Sequence, residues 1–294
     1  MSCQASPLSS GANPLSFALR PITCTIVAFL LTSPLCAGEV RIYRDTWGVP
    51  HIHGKTPAEV MYGFGYAQAE DRLEAILKNY LTATGRMAEV FGPDHFESDF
   101  RQRLYQHEQI APTHSLHPQI PSLIAHFIAG QIAYLNTHPE QMPSWAFRPE
   151  PHHVVALARY LAFQTLENQA HQEWTGSNPA HQPGGNQWVV SRNHAADDAV
   201  LLNIDPFQSW HTPLRFYEAH LHGGSLHAFG FTHPGLPVFV VGHNNTLGWS
   251  TLPGGPDCVD IYEIDLPSPN ATRYESDGTW QTIQTDTLLI GIRI

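Results

Sequence analysis

The spacing of apolar residues changes character at Gly185, and that change divides what the chain can become. Upstream, apolar side chains recur at helical intervals. Downstream, short runs of β-branched and aromatic residues are separated by Gly, Pro and Asn, the pattern of an antiparallel sheet. The expected class is therefore α+β, a mainly helical region followed by a β-rich one. Three spans follow: residues 39–170 helical, 171–184 a linker rich in Gly, Pro, Asn and Gln, and 185–294 β-rich.

Within the first span, Glu39–Asp45 alternates as a half-buried strand, and a second strand runs over Gly48–His53. Thr56-Pro57-Ala58-Glu59 combines a capping box with proline at the first helical position. A helix is expected from there to Tyr80, stopping near Gly85. Further helices are expected over Asp99–Ile110, Pro121–Leu135 and Val154–Asn168. Strands are expected at Gln187–Ser191, Ala199–Asn203, Leu214–Leu221, Pro237–Val241 and Val259–Leu266, and Thr287–Ile292 is strand-like.

The 294 residues are 42% hydrophobic, enough for a sizeable core. A net charge of −11 excludes nucleic acid and anionic membrane surfaces as partners, since both require basic patches. Residues 1–38 read as an export signal: Arg20, an apolar run from Ile22 to Leu31, then small residues before Gly38. That run is too short to span a bilayer, so a secreted or periplasmic product without a membrane span is expected. Cys3, Cys24 and Cys36 fall inside the signal, which leaves Cys258 alone and excludes an internal disulfide.

Two blocks resemble the penicillin acylase family of N-terminal-nucleophile hydrolases. The first is Arg44-Asp45-Thr46-Trp47-Gly48-Val49-Pro50-His51-Ile52, continuing through Gly63-Phe64-Gly65-Tyr66-Ala67-Gln68-Ala69-Glu70-Asp71-Arg72-Leu73. The second runs from Gly185 to about Asp265 and includes Pro234-Gly235-Leu236-Pro237, Gly242-His243-Asn244 and Asp257-Cys258-Val259-Asp260. The Arg215–Leu221 run is similar to members that act on long acyl chains or acyl-homoserine lactones. The resemblance implies an αββα sandwich, incomplete here because the family's β subunit continues beyond the equivalent of Ile294, with a second chain supplying the rest or the chain a truncated relic. It implies hydrolysis of linear amides, including β-lactam and acyl-homoserine-lactone substrates, in an exported protein.

That chemistry needs a hydroxyl nucleophile, its own α-amine as base, and donors for the oxyanion. The family's serine, which also drives self-cleavage, falls at Gly185, in a turn entering a strand expected to be buried. Glycine there has an alternative reading, a close backbone approach at the strand entry. Twenty-two residues on, the family's polar residue is replaced by Phe207, with Gln208 beside it. Sixty-eight residues on, where a backbone N–H serves the oxyanion, stands Pro253, which has none. Ser177, in the triplet Gly176-Ser177-Asn178, is an alternative nucleophile, but Pro179 and Pro183 follow it and oppose the strand that would present it.

The resemblance also implies calcium held by Asp257, Asp260 and the carbonyl of Val259, with Glu173 as the candidate from the helical half. The alternative is a solvated turn. Among the 19 histidines, His51-Ile52-His53 and His220-Leu221-His222 each place two imidazoles on one strand face. No neighbouring Cys or carboxylate completes a zinc set, so hydrogen-bonded or solvated histidines are expected. Three functions remain open: an active amide hydrolase using Ser177 or a partner chain, a non-catalytic binder of N-acyl ligands, and a fragment without function.

Overall fold

The computed structural model describes residues 39–294 except 114, 177–183, 197, 208–209, 211 and 253–257. Strand β1 (Arg41–Arg44) turns back into β2 (Pro50–His53), and Asp45 shapes that turn by accepting the N–H groups of Trp47 and Val49. Helix α1 (Pro57–Ala83) starts as expected. Thr56 Oγ1 accepts the Glu59 N–H at 3.2 Å, and Glu59 Oε2 accepts the Thr56 N–H at 3.3 Å. Short helices α2 (Ala88–Phe91), α3 (Phe96–Leu104) and α4 (His107–Ile110) lead to the long α5 (Ile120–Thr137) and α6 (Pro151–Thr175).

Two helical expectations need correction. The helix expected over Asp99–Ile110 is broken because Gln106 adopts φ 55°, a left-handed conformation. The span read as a linker from His171 is helical through Thr175, because nothing stops the helix before Gly176, whose φ of 63° suits a left-handed cap.

Downstream come β3 (Gly185–Val190), β4 (Leu201–Pro206), β5 (Tyr217–Gly223), β6 (Leu226–Thr232), β7 (Val241–His243), β8 (Gly248–Trp249), β9 (Arg273–Ser276) and β10 (Thr279–Thr282). The main sheet has the order β1-β2-β5-β6-β7-β8, with β2 and β5 parallel and every other neighbour antiparallel. Pairs β3–β4 and β9–β10 are separate ribbons. No strand forms at Val259–Leu266 or Thr287–Ile292, and the strand expected at Pro237–Val241 begins only at Val241. β3 is exposed from Asn186 to Val189, not buried as expected, since β4 is its one paired neighbour among the described residues.

The α+β expectation holds: α1 packs on one face of the main sheet, and α5 and α6 pack against α1. Ile52, Tyr217, Ala219 and Leu221 point into the core, while His51, His53, Glu218, His220 and His222 alternate to the opposite face. Phe64 of α1 sits at the centre, its ring 5.7 Å from those of Phe127 and Phe239 and 6.3 Å from that of Tyr217. Helices α1 and α5 cross at backbone contact. A Cβ added to Gly65 would lie 1.9 Å from the Phe127 carbonyl oxygen, and one on Gly130 1.9 Å from that of Tyr62.

Buried polar groups on α1 tie the two motif blocks together. Gln68 bonds both the N–H of Gly235 and the carbonyl of Leu236, Asn79 Nδ2 donates to Pro234, and the Tyr80 hydroxyl donates to Gly235. The Pro234-Gly235-Leu236 turn is therefore held from three points on one helix. Arg44 pairs with Glu70 and Asp71, and Asp71 accepts the Tyr217 hydroxyl at 2.8 Å. Burial, then the Asp71 charge, drives the Tyr217 phenol well above its ordinary pKa, so it remains a donor. No described helix is long and apolar enough to cross a membrane.

Candidate active site

The site expected around Gly185 is built from the β3–β4 ribbon and the segment after β8. Gly185 opens β3 and stands opposite Pro206, the last residue of β4. The Phe207 N–H donates to the Gly184 carbonyl at 3.0 Å, which extends the pairing past the proline. Positions 185 and 207 therefore lie at the same end of the ribbon. Phe207 is half exposed and offers an aromatic face where a polar contact was expected.

A third segment closes on the same point. A Cβ on Gly185 would lie 2.5 Å from Leu252 Cδ2, 2.8 Å from the Asp205 carbonyl oxygen and 3.1 Å from Pro206 Cα. Leu252 could swing away, but the two backbone atoms could not without parting the strands. The position lacks a side chain and also lacks the space for one. Leu252 precedes Pro253 in sequence; Pro253 itself, Gln208, Ser177 and Asp257 lie outside the described residues. The ribbon is anchored on the main sheet where Leu202 of β4 rests on Gly248 of β8. Trp249 Nε1, one residue on, donates to the Phe239 carbonyl at 3.0 Å.

A family model for penicillin amidase matches residues 39–293. The chain belongs to the penicillin amidase family. Among curated relatives, the acyl-homoserine lactone acylase PvdQ of Pseudomonas syringae pv. tomato is 26% identical over 288 residues, covering 82% of this chain and 37% of that protein. Penicillin G acylase of Escherichia coli is 22% identical over 356 residues, covering 83% and 42%. A solved thermostable penicillin G acylase from Alcaligenes faecalis aligns over 47% of this chain and 82% of that chain, with 25% identity and a TM-score of 0.35. The chain thus spans about two-fifths of the length of these curated relatives.

Of the residues expected to hold calcium, Glu173, Val259 and Asp260 are among those described. Glu173, near the end of α6, accepts the N–H of Ile261, the residue after Asp260, at 3.0 Å. Asp260 is exposed and Val259 half-buried. Carboxylate and carbonyl oxygens are the donors a hard cation takes, so the described residues fit calcium in chemistry.

Leu252 is the residue the sequence reading missed. Its role depends on how the ribbon lies against the segment after β8, and no local pattern encodes that.

Proposed function

We propose that this chain keeps the N-acyl-amide-binding fold of the penicillin amidases but does not carry out their reaction, hydrolysis of the carbon–nitrogen bond of linear amides. The observation that supports this most is Gly185. It supplies no oxygen to attack a carbonyl, and the Asp205 carbonyl and Leu252 fill the place a side chain would need. In this reading the α-amine has no hydroxyl to activate, so neither self-cleavage nor an acyl intermediate can form. Phe207 would pack against an acyl chain near the ribbon mouth.

Binding without turnover predicts a saturable rise in melting temperature with N-acyl compounds. At a ligand concentration about a hundred times Kd, mass action adds about 2.7 kcal/mol, or about 5 °C for a domain of this size. Long-chain N-acyl-homoserine lactones and phenylacetyl amides are the probes. A flat melting temperature across both series would oppose the proposal.

Calcium, in the same reading, would be held by Glu173, Asp260 and the Val259 carbonyl together with Asp257, tying the end of α6 to the segment after β8. It would act as a staple and take no part in bond breaking. Chelator treatment should then lower the melting temperature, and calcium, not magnesium, should restore it. An unchanged melt after chelation would remove calcium from the account.

A further inference from the structure

The parallel pairing of β2 with β5 joins two histidine pairs that lie 169 residues apart. His51 stands opposite His220 and His53 opposite His222, while β6 adds His227 opposite His222. Five imidazoles therefore share the sheet face that points away from the helices. His51 Nδ1 lies 3.0 Å from His220 Nδ1, and His220 Nε2 lies 3.0 Å from His227 Nε2. At the far end, His51 Nε2 is 3.6 Å from Asp45 Oδ2.

We propose that His51 Nδ1 and His220 Nδ1 form a chelating pair for an imidazole-seeking divalent ion of the zinc, copper and nickel class. Two nitrogens about 2.1 Å from one ion stand about 3.0–3.4 Å apart, the separation already present here within a few tenths of an ångström. Each ligand is also oriented from behind, as metal-bound histidines are. Asp45 faces the far nitrogen of His51, and His227 faces the far nitrogen of His220. With the His51 proton on Nε2, toward Asp45, the short contact without the ion is a hydrogen bond in which His220 Nδ1–H donates to His51. On ion binding that proton shifts to His220 Nε2 and is donated to His227, whose own proton moves to Nδ1. No proton is lost, because His220 and His227 each change from one neutral tautomer to the other while His51 keeps its own.

The surroundings suit a cation. Glu218, two residues before His220 on the same face, adds negative charge beside Asp45 and His51. His53, with its ring 6.1 Å from that of His220, stands outside the pair, and water would complete the shell. A second cluster, Glu108 with His152 and His153, fails the same chemical check. His153 Nδ1 accepts the Glu150 N–H at 2.8 Å, which leaves the proton on Nε2 and no lone pair for a metal.

The test is zinc titration of the untagged chain by competition with a chromophoric chelator. One tightly held ion is expected, its affinity reduced at least a hundredfold in His51→Gln and in His220→Gln. Asp45→Asn, which keeps the turn-forming oxygen, should weaken binding about 10–100-fold as an orienting partner. His126→Gln, on the exposed side of α5, should change nothing. Circular dichroism checks that each variant is folded, and the cobalt-loaded unmodified chain should show the intense visible bands of a low-symmetry nitrogen site. Zinc binding that survives both ligand variants, or cobalt spectra of the hexa-aquo ion alone, would overturn the proposal even if a variant failed to fold.

Discussion

Gly130→Ala is expected to cost about 3 kcal/mol or more, lowering the melting temperature by roughly 6 °C or more. On an isolated helix the same change would stabilise by about 1 kcal/mol, because alanine is the better helix former. The sign reverses here because α5 crosses α1 with backbones in contact. The new methyl would lie 1.9 Å from the Tyr62 carbonyl oxygen and 2.8 Å from the Tyr66 nitrogen, both main-chain atoms that no rotamer change can move. Relief requires the helices to separate, which loosens Phe64 against Phe127 and the Tyr80–Gln131 contact one residue away. Gly65→Ala, which meets the Phe127 carbonyl at the same distance, should behave alike. Thermal melts of both variants decide the matter, and a melting temperature at or above that of the parent would show that the crossing is not close-packed.

Gly185→Ser should not restore self-cleavage. Returning the family's hydroxyl also introduces a Cβ 2.8 Å from the Asp205 carbonyl and 3.1 Å from Pro206 Cα. The ribbon must open at its mouth to admit it, at a cost of about 1–3 kcal/mol. Gly185→Ala should destabilise by a similar amount, since the clash belongs to the Cβ and not to the oxygen. Intact-mass analysis beside thermal melts separates the possibilities. A serine variant that splits before residue 185 would show that the scaffold still accommodates the reaction and that the oxygen alone was missing. A variant that stays whole and melts lower is the expected result.

The features legible in the sequence were those written locally. The start of α1 follows from Thr56, Pro57 and Glu59, and the structure has each of their bonds. The strand runs read at Gln187–Ser191 and Ala199–Asn203 match β3 and β4 to within two or three residues at each end. What escaped depended on partners far along the chain. Gln106 carries no side-chain signal for the left-handed turn that splits the third helical stretch. β6 was missed because Ala228 and Gly230, the residues facing the helices, are too small to read as strand formers. Val259–Leu266 has the composition of a strand but pairs with none of the described strands. The parallel register of β2 with β5, which assembles the histidine face, joins strands that no turn connects. The filling of the space at Gly185 by Leu252 likewise arises only when three segments pack.

The central claim is that an absent nucleophile, with its place taken by backbone, leaves a binding fold without hydrolysis. Its most direct test is intact-mass spectrometry of the purified, unmodified chain before and after incubation with an activated N-acyl amide. One polypeptide of unchanged mass, not cut near residue 177 or 185 and carrying no acyl group, is the result expected. A mass gain equal to the acyl group, or two fragments with a new N-terminus at either position, would contradict it.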